Sequence, residues 1–274
     1  MYLNQKPLLG RSLNYGHFLS NGLVGCWLFN EGSGSKIFDL SGNLITLDFG
    51  SGSAMPTWSA GKFGSCPSFD GGDYISKSIS DWRINDTQGS ISFWVKTASA
   101  AGTVRVVISS ADGGSNFYFL GVGIWTNEKV FVMQRNYDTQ DTVTGSTVLT
   151  AGVWYFVTIV SNGSSYSIYV NGQLESLTIV GGTNSGDWFG DTLNRDNIYI
   201  GCQRREVLEY YFNGLIDNVA IYNRALSASE VALLYREPFC MFERRREIIV
   251  PEVAAAGVTM AGYYYYKHLM GNAA

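Results

Sequence analysis

The sequence predicts an all-β fold, a two-sheet antiparallel jelly-roll sandwich with one short C-terminal helix and terminal extensions. Strand-like runs recur along the chain, glycine-rich turns separate them, and helical periodicity is almost absent. The 274 residues are 46% hydrophobic and only 15% charged, and 32 of them are glycine. This balance is typical of many short strands joined by glycine turns. A chain of this length also buries a substantial core in one domain.

Ten apolar runs predict the strands. Several alternate apolar and polar residues, the period-two pattern of half-buried antiparallel strands, and Val, Ile, Tyr, Phe and Trp dominate them. Asn171 and Gly172 form the clearest two-residue hairpin turn, because a type I′ turn needs positive φ at both central positions. Regular strands with such turns indicate a sandwich or jelly roll. The runs lie at residues 22–29, 73–79, 89–97, 103–110, 116–125, 129–135, 153–161, 166–180, 197–202 and 215–223.

One helix is predicted after the last strand. Ser227 can cap it, and Glu230 three residues later completes a capping box. Beyond Pro238 the chain changes to a charge run followed by a tail rich in small residues and tyrosine, which places a domain boundary near 236–238. We therefore expect an N-terminal extension over 1–20, a sandwich domain over 21–236, and a C-terminal anchoring or interaction tail over 237–274.

The charge and the histidine content argue against several functions. A net charge of -4 and a pI near 5.2 disfavour nucleic acid as a partner, since phosphate binding requires a basic surface. His17 and His268 both lie in the terminal extensions, so a Ser-His-Asp or Cys-His site is poorly supported. No nucleophile elbow, phosphate loop or same-strand pair of catalytic carboxylates is found in the sequence. We expect the chain not to be an enzyme.

The sequence shows neither a secretion signal nor a membrane span. The N-terminus lacks the apolar region of a signal peptide, and no run is long and clean enough for a membrane span. The widely spaced Cys26, Cys66, Cys202 and Cys240 fit no zinc motif and are interpreted mostly as buried thiols, with pairing left open. The sequence therefore predicts a chain that leaves its cell by another route, or is never secreted as a free chain.

Acidic turn segments offer the oxygen ligands that calcium prefers. They occur at residues 29–34, 69–75 and 215–223. For acids such as Asp70 the commoner role is an Asx turn, and that alternative stays open. Asp217 differs, because it lies inside an apolar strand run, where a buried carboxylate needs a strong partner.

Aromatic residues beside polar loops are candidates for stacking on a sugar. The longest polar insertion, at residues 181–196, carries two adjacent aromatic residues and several polar groups. The alternative is that this loop folds back on its own aromatics and that its aspartates are turn residues. The candidate ligand-binding residues are Trp125, Tyr137, Asp187, Trp188, Asp191 and Arg195.

A family resemblance rests on several ordered segments. They are GLVGCWLFNEGSGSKIFDLSGN at 22–43, PSFDGGDYI at 67–75, SISFWVKT at 90–97, WYFVTIVSNGSSYSIYVNGQL at 154–174, IYIGC at 198–202 and FNGLIDNVAIYNRALSASEVALLY at 212–235. Together they resemble laminin-G-like domains of the concanavalin A-like lectin/glucanase superfamily, over roughly residues 20–236.

The resemblance implies a jelly roll that often holds a structural calcium ion and often binds carbohydrate. It implies that the first and last strands lie side by side and that Asp217 matches the aspartate that helps to hold the ion. Asn30 would add an amide oxygen, and carbonyls near Gly71 and Gly72 would complete the metal site. The acid cluster of the glucanase relatives is missing from this sequence.

The flanking segments are KPLLGRSLNYGHFLSNGLVGCWLFNEG at 6–32 and LYREPFCMFE at 234–243. They resemble the edges of such domains in predicted phage and environmental viral structural proteins. This resemblance implies a carbohydrate-binding or adhesion module displayed on a virion surface, with glycans as ligands. Its terminal extensions would dock on capsid or tail proteins, and Tyr263 to Tyr266 would supply contact area. Two alternatives stay open, a purely structural virion protein and an extracellular accessory glycan-binding module of a secreted bacterial protein. The oligomeric state, including a homo-oligomer, is also open.

Overall fold

Two antiparallel sheets pack face to face in the computed structural model, which describes residues 5–8 and 10–243. Every strand pair in both sheets is antiparallel, and one α-helix, α1 (Ala228–Arg236), follows the last strand. The predicted all-β sandwich with a single short C-terminal helix is confirmed. Within the described residues no helix has the length and apolar character needed to cross a membrane.

The first sheet has eight strands in the order β14-β13-β12-β7-β19-β5-β4, and β1 also pairs with β19. The first and last strands of the sandwich therefore lie side by side, as expected. The strands are β1 (Leu23–Trp27), β4 (Thr57–Ala60), β5 (Ser65–Asp70), β7 (Gly89–Thr97), β12 (Tyr155–Ser161), β13 (Tyr166–Val170), β14 (Gln173–Leu174) and β19 (Asn213–Tyr222).

The second sheet has nine strands in the order β15-β11-β10-β9-β8-β16-β6-β3-β2. They are β2 (Lys36–Ile37), β3 (Leu47–Phe49), β6 (Ile75–Ser78), β8 (Arg105–Ala111), β9 (Tyr118–Ile124), β10 (Lys129–Asn136), β11 (Thr139–Val148), β15 (Thr178–Gly181) and β16 (Asn197–Ile200). A separate hairpin, β17 (Gln203–Arg204) with β18 (Leu208–Glu209), follows β16.

The main core lies between the two sheets and follows the period-two pattern of the sequence. On β10, Val130 and Val132 belong to this core, whereas Phe131 and Met133 belong to a smaller cluster on the other face of the same strand. At the β13–β14 turn, Asn171 and Gly172 have φ of 51° and 78°, as the predicted type I′ turn requires. Pattern and turn chemistry thus fix the register of the strands together.

Helix α1 covers part of the outer face of the eight-stranded sheet. The backbone N–H of Glu230 donates to the Ser227 hydroxyl at 3.3 Å, and the Glu230 carboxylate accepts the N–H of Ser227 at 2.8 Å. This is the predicted capping box. Val231 and Leu234 are buried in a second apolar cluster that includes Trp94 of β7.

The terminal segments complete this second layer. Leu13 pairs with Phe242 in an isolated antiparallel bridge, and the N–H of Asn14 donates to the carbonyl of Met241 at 2.8 Å. Leu13, Leu19 and Phe242 are buried in the same cluster as Trp94. As far as they are described, both predicted extensions therefore pack on the sandwich. The division at residues 20 and 237 stays a prediction, and the tail beyond residue 243, with Tyr263 to Tyr266, lies outside the described residues.

The outer face of the nine-stranded sheet is covered differently. Hairpin β17–β18 packs on it beside β8, and a cation–π contact places the Arg205 guanidinium 4.9 Å from the ring centre of Phe119. Gly201 precedes this hairpin at φ 90°, and a Cβ there would overlap the ring of Phe69. The chain can leave β16 and turn across the sheet because this residue has no side chain.

We expect Gly201→Ala to lower the free energy of unfolding by about 2–4 kcal/mol, through overpacking against Phe69 and a left-handed backbone. Gly181→Ala is the matched control, because no atom lies within 4 Å of a Cβ there. Urea denaturation of both variants measures the difference. Equal stabilities would contradict the close packing at Gly201.

Candidate functional site

Asp217 lies where strand β19 changes its neighbour. On one side β19 pairs with β5 through residues 213–215 and then with β1 through residues 219–222. Asp217 and Asn218 fall between these two stretches, at an irregularity in the pairing with β7, and Asn218 has φ 53°. The bulge explains how an acid is accommodated in an apolar run, since bulges redirect side chains.

The partner of the Asp217 carboxylate is a lysine from the N-terminal segment. The Nζ of Lys6 lies 2.5 Å from Oδ1 of Asp217, and the two side chains are 5% and 0% exposed. The same ammonium donates to the carbonyl of Phe29 at 3.0 Å and to the carbonyl of Ser65. The buried acid is therefore held by a buried cation of the same chain.

Backbone amides of the β4–β5 turn bind the other carboxylate oxygen. Oδ2 of Asp217 accepts the N–H of Lys62 at 3.0 Å and that of Phe63 at 3.4 Å. Gly61 permits this approach, because a Cβ there would lie 2.7 Å from Oδ2. Burial raises the pKa of Asp217 above its ordinary value, while Lys6 and the two amides oppose that rise.

The residues expected to hold calcium do not fit such a site in this arrangement. Asn30 directs its amide nitrogen to the carbonyl of Pro7 at 2.9 Å. Gly71 lies beside Asn213, four residues and about 13 Å along β19 from Asp217, and Gly72 follows it in the same turn. In the described part of the chain no three His, Cys, Asp or Glu residues form a metal-binding group. The Asp217 carboxylate instead faces an ammonium, a competitor for any metal ion.

Asp70 and Asp73 of the second acidic segment, and Asp39 after strand β2, accept hydrogen bonds from backbone amides. Asp70 accepts the N–H of Gly72 at 2.8 Å in an Asx turn, and Asp73 accepts the N–H of Asp70 at 2.8 Å. Asp39 accepts the N–H groups of Cys26 and Ser41 at 2.9 and 2.8 Å. The turn interpretation accounts for the Asp70–Gly72 and Asp39–Ser41 contacts, whereas the Asp39–Cys26 contact joins the residues after β2 to strand β1.

The 181–196 loop turns its aromatics inward. Trp188 is 0% exposed and belongs, with Phe189, to the main core between the sheets. Its indole lies against Gly89, where a Cβ would overlap it. The expectation that Trp188 stacks on a ligand is corrected by this burial, and the alternative of a loop folded on its own aromatics describes the structure.

The polar residues of this loop are also engaged. Arg195, 2% exposed, donates to the carbonyls of Phe189 and Trp82, and burial lowers its pKa to about 10. Asp191 accepts the N–H of Trp188 at 2.8 Å, and the carbonyl of half-buried Asp187 accepts the Tyr166 hydroxyl. Arg195 is therefore a structural residue in this conformation, and a ligand role for the two aspartates stays a prediction.

Trp125 and Tyr137 do not share one site. They flank opposite ends of β10, whose eight residues span about 26 Å. Trp125 packs on Phe131, with ring centres 5.3 Å apart. Tyr137 is 56% exposed and contacts exposed Phe117, with ring centres 5.7 Å apart. Only Tyr137 therefore belongs to an exposed aromatic surface.

A polar cleft on the outer face of the nine-stranded sheet was not predicted from the sequence. We call it the Tyr199 cleft. Ile198 and Ile200 of β16 face the core, so Asn197 and Tyr199 face outward into the cleft. Its volume is about 420 Å³. The lining residues are Ser78, Ile79, Ser80, Gly113, Asp196, Asn197, Tyr199 and Arg204.

Backbone and side-chain contacts hold the walls of the Tyr199 cleft in place. Oδ1 of Asp196 accepts the N–H of Gly113 at 2.9 Å and the amide of Asn197 at 2.8 Å. The Tyr199 ring packs on Tyr74, with centres 5.3 Å apart. Arg204 uses only its Nε for a hydrogen bond within the described residues. Its terminal nitrogens remain available to a ligand.

The cleft connects to the exposed aromatic surface through one loop. The loop between β8 and β9 runs from Gly113, which lines the cleft, to Phe117, which contacts Tyr137. Midway, the Asn116 amide donates to the Glu206 carboxylate of the β17–β18 hairpin at 2.6 Å. The Tyr199 cleft and the Phe117–Tyr137 pair therefore lie at the two ends of the same β8–β9 loop, which the hairpin contacts in its middle.

Comparison with known proteins places this geometry in a family. The family described as the concanavalin A-like lectin/glucanases superfamily matches residues 69–232. The chain belongs to this superfamily. That range includes the walls of the Tyr199 cleft and Asp217, but not Lys6. No curated protein matches the chain.

Solved structures show the same fold at low sequence identity. Domain 4 of AbnA, an extracellular arabinanase from Geobacillus stearothermophilus in complex with arabinotriose, is 20% identical with a TM-score of 0.60, covering 78% of this chain and 98% of that one. The binding domain of Paraclostridial Mosquitocidal Protein 1 is 18% identical with a TM-score of 0.58, covering 81% and 53%. Trypanosoma rangeli sialidase in complex with sialic acid is 16% identical with a TM-score of 0.56, covering 80% and 33%.

We expect Trp188→Ala to lower the free energy of unfolding by about 3–5 kcal/mol, because it empties a core position. Tyr137→Ala, at an exposed aromatic, is the control and should cost about 1 kcal/mol or less. Denaturant titration followed by tryptophan fluorescence compares them. A Trp188→Ala variant as stable as the control would show that the indole does not pack in the core.

Proposed function

We propose that the chain is a non-enzymatic carbohydrate-binding or adhesion module and that its glycan occupies the Tyr199 cleft. The observation that carries this proposal is the convergence of Tyr199, Asp196, Asn197 and Arg204 on one open concavity. The family and its fold support a binding module, and the cleft supports the location.

The chemistry of the cleft suits a sugar. A pyranose or furanose ring offers hydroxyl groups that both donate and accept hydrogen bonds, and apolar C–H faces. Arg204 supplies donors and Asp196 supplies acceptors. The Asn197 side chain is 4% exposed and bonds to Ala111, Asp196 and Arg204, so it holds the wall of the cleft. The Tyr199 ring offers an apolar face with a polar tip. A volume of about 420 Å³ falls within the range of small-ligand sites and accommodates a short oligosaccharide end.

The coverage of the two sheets also favours the Tyr199 cleft as the glycan site. Much of the outer face of the eight-stranded sheet is covered by helix α1 and the described terminal segments. The outer face of the nine-stranded sheet keeps an open cleft beside its hairpin. A ligand that lies across a sheet therefore has access on the second sheet.

Binding is favoured over hydrolysis by the acids in the cleft. Glycoside hydrolysis generally uses two carboxyl groups on either side of the scissile bond. Asp196 is the single acid among the residues that line the Tyr199 cleft, and its Oδ1 is engaged by Gly113 and Asn197. This arrangement supports recognition of a sugar without cleavage.

Glycan binding is tested with the full chain on a glycan array that includes arabinotriose and sialic acid. Domain 4 of AbnA was solved with arabinotriose, and the sialidase, one third of which is similar to this chain, with sialic acid. We expect Arg204→Ala and Tyr199→Ala to reduce affinity for the best probe at least about tenfold, through loss of about 1.4 kcal/mol of interaction. Arg236→Ala, on the exposed end of helix α1, is the control and should bind as the wild type does.

Two results would contradict the proposal. The first is an array without any signal for the folded wild-type chain, which would favour a structural role. The second is a signal that both cleft variants retain in full, which would place the glycan elsewhere. Melting curves of each variant exclude unfolding as the cause of a loss.

Display on a virion surface is a separate proposal. It is supported by the resemblance of the flanking segments to those of phage and viral structural proteins. In this proposal the C-terminal segment of the chain binds capsid proteins or phage-tail proteins. We expect a chain ending at Glu243 to keep its melting temperature and glycan affinity but to be lost from purified virions. Incorporation of the shortened chain would contradict anchoring by residues 244–274. Detection of this domain within a larger protein secreted by a bacterium would favour the alternative of an accessory glycan-binding module.

A further inference from the structure

We propose that the oxygen cluster around Asp217 is a cation site whose occupant is the ammonium group of Lys6, in place of a metal ion. The proposal does not depend on glycan binding. It assigns to the N-terminal segment a role that family membership over residues 69–232 does not include.

The contacts of Lys6 match the capacity of its ammonium group. An ammonium has three N–H donors and no acceptor. Within the described chain, three oxygens surround it, from the carboxylate of Asp217 and the carbonyls of Phe29 and Ser65. They come from β19, from the residues after β1, and from the start of β5. One group thus joins three separate parts of the eight-stranded sheet to the N-terminal segment.

The charge of the cluster fits a monovalent cation. Asp217 contributes one negative charge, and the other two oxygens are neutral carbonyls. Calcium takes about six to eight oxygen ligands, usually with several carboxylates. A lysine ammonium with three ligands balances one carboxylate, whereas a divalent ion would leave excess positive charge in a buried site.

Burial makes this pairing necessary. The Asp217 side chain is 0% exposed and the Lys6 side chain 5%. An unpaired carboxylate at such a position is strongly destabilising, and removing one member of a buried pair costs far more than removing an exposed one. The chain supplies the countercharge itself, so stability of the β1–β19–β5 junction needs no bound ion.

The ion pair also fastens the N-terminal segment in place. Next to Lys6, the carbonyl of Pro7 accepts the amide of Asn30. Gln5 to Leu8 lie along the turn at residues 62–65, with a cleft of about 750 Å³ between them. Asn30 was expected to bind calcium. Instead its amide bonds to Pro7 and so positions the segment that carries Lys6.

Lysine footprinting tests the occupancy in the unmodified protein. Brief reductive dimethylation of the folded full chain, followed by peptide mass spectrometry, compares Lys6 with Lys36. Lys36 forms an exposed ion pair with Asp48 and is 60% exposed. We expect Lys36 to be modified at least about tenfold faster, since the Lys6 amine is buried, paired with Asp217 and hydrogen-bonded to two carbonyls. Equal modification rates would overturn the proposal.

Thermal melting tests the charge role. We expect Lys6→Met to lower the melting temperature by about 10 °C and Lys36→Met, the matched control, by about 2 °C or less. The double variant Lys6→Met/Asp217→Asn should melt above Lys6→Met, because the orphaned charge is gone. A Lys6→Met variant as stable as the control, or a double variant less stable than Lys6→Met, would overturn the proposal.

The effect of calcium on the melting temperature of the wild-type chain completes the test. We expect the same melting temperature in millimolar calcium and in excess chelator. A calcium-dependent rise that Asp217→Asn abolishes would show that a metal ion, not Lys6, occupies the cluster.

Discussion

The buried carboxylate of Asp217 is the constraint on which the surrounding structure depends. It lies at the point where the last strand passes from one neighbour, β5, to the other, β1, so it joins three strands of one sheet. A charge at that depth requires a countercharge and hydrogen bonds on both oxygens. Lys6 and the amides of Lys62 and Phe63 provide them. The N-terminal segment is thereby part of the sandwich.

The N-terminal segment that carries Lys6 continues into the layer on the eight-stranded sheet. Once the chain is fixed at Lys6, the segment that continues from it contributes Leu13 and Leu19 to the cluster that helix α1 and Phe242 complete. Much of the outer face of the eight-stranded sheet is covered by the chain itself. The nine-stranded sheet carries instead the β17–β18 hairpin, which leaves the Tyr199 cleft open beside it. Under the proposed function, glycan recognition takes place on the outer face of the nine-stranded sheet.

Local patterns in the sequence were enough to predict the fold. The turn at Asn171 and the capping box at Ser227 depend on neighbouring residues, and both are confirmed. Each of the ten predicted runs overlaps a strand, but the run at 166–180 forms three strands in two sheets, and several strands, including β11, were missed. The position of Asp217 also marked it as a residue that needs a partner. Lys6 could not be identified as that partner, because it lies 211 positions before Asp217 and a single basic residue in the N-terminal segment carries no signal.

The candidate site was harder to predict for the same reason. The aromatic and polar content of the 181–196 loop resembled a binding loop, but Trp188 fills the core beside Gly89, a packing relation set by tertiary structure. The Tyr199 cleft combines residues from β6, β16, β17 and a loop. Only the outward position of Tyr199 between two isoleucines was visible in the sequence. The most direct test of the Lys6–Asp217 pair is a crystal structure of the full chain grown in calcium. We expect continuous electron density for the Lys6 side chain up to the Asp217 carboxylate. A separate ion beside Asp217, with oxygen ligands at about 2.4 Å, would contradict this pairing.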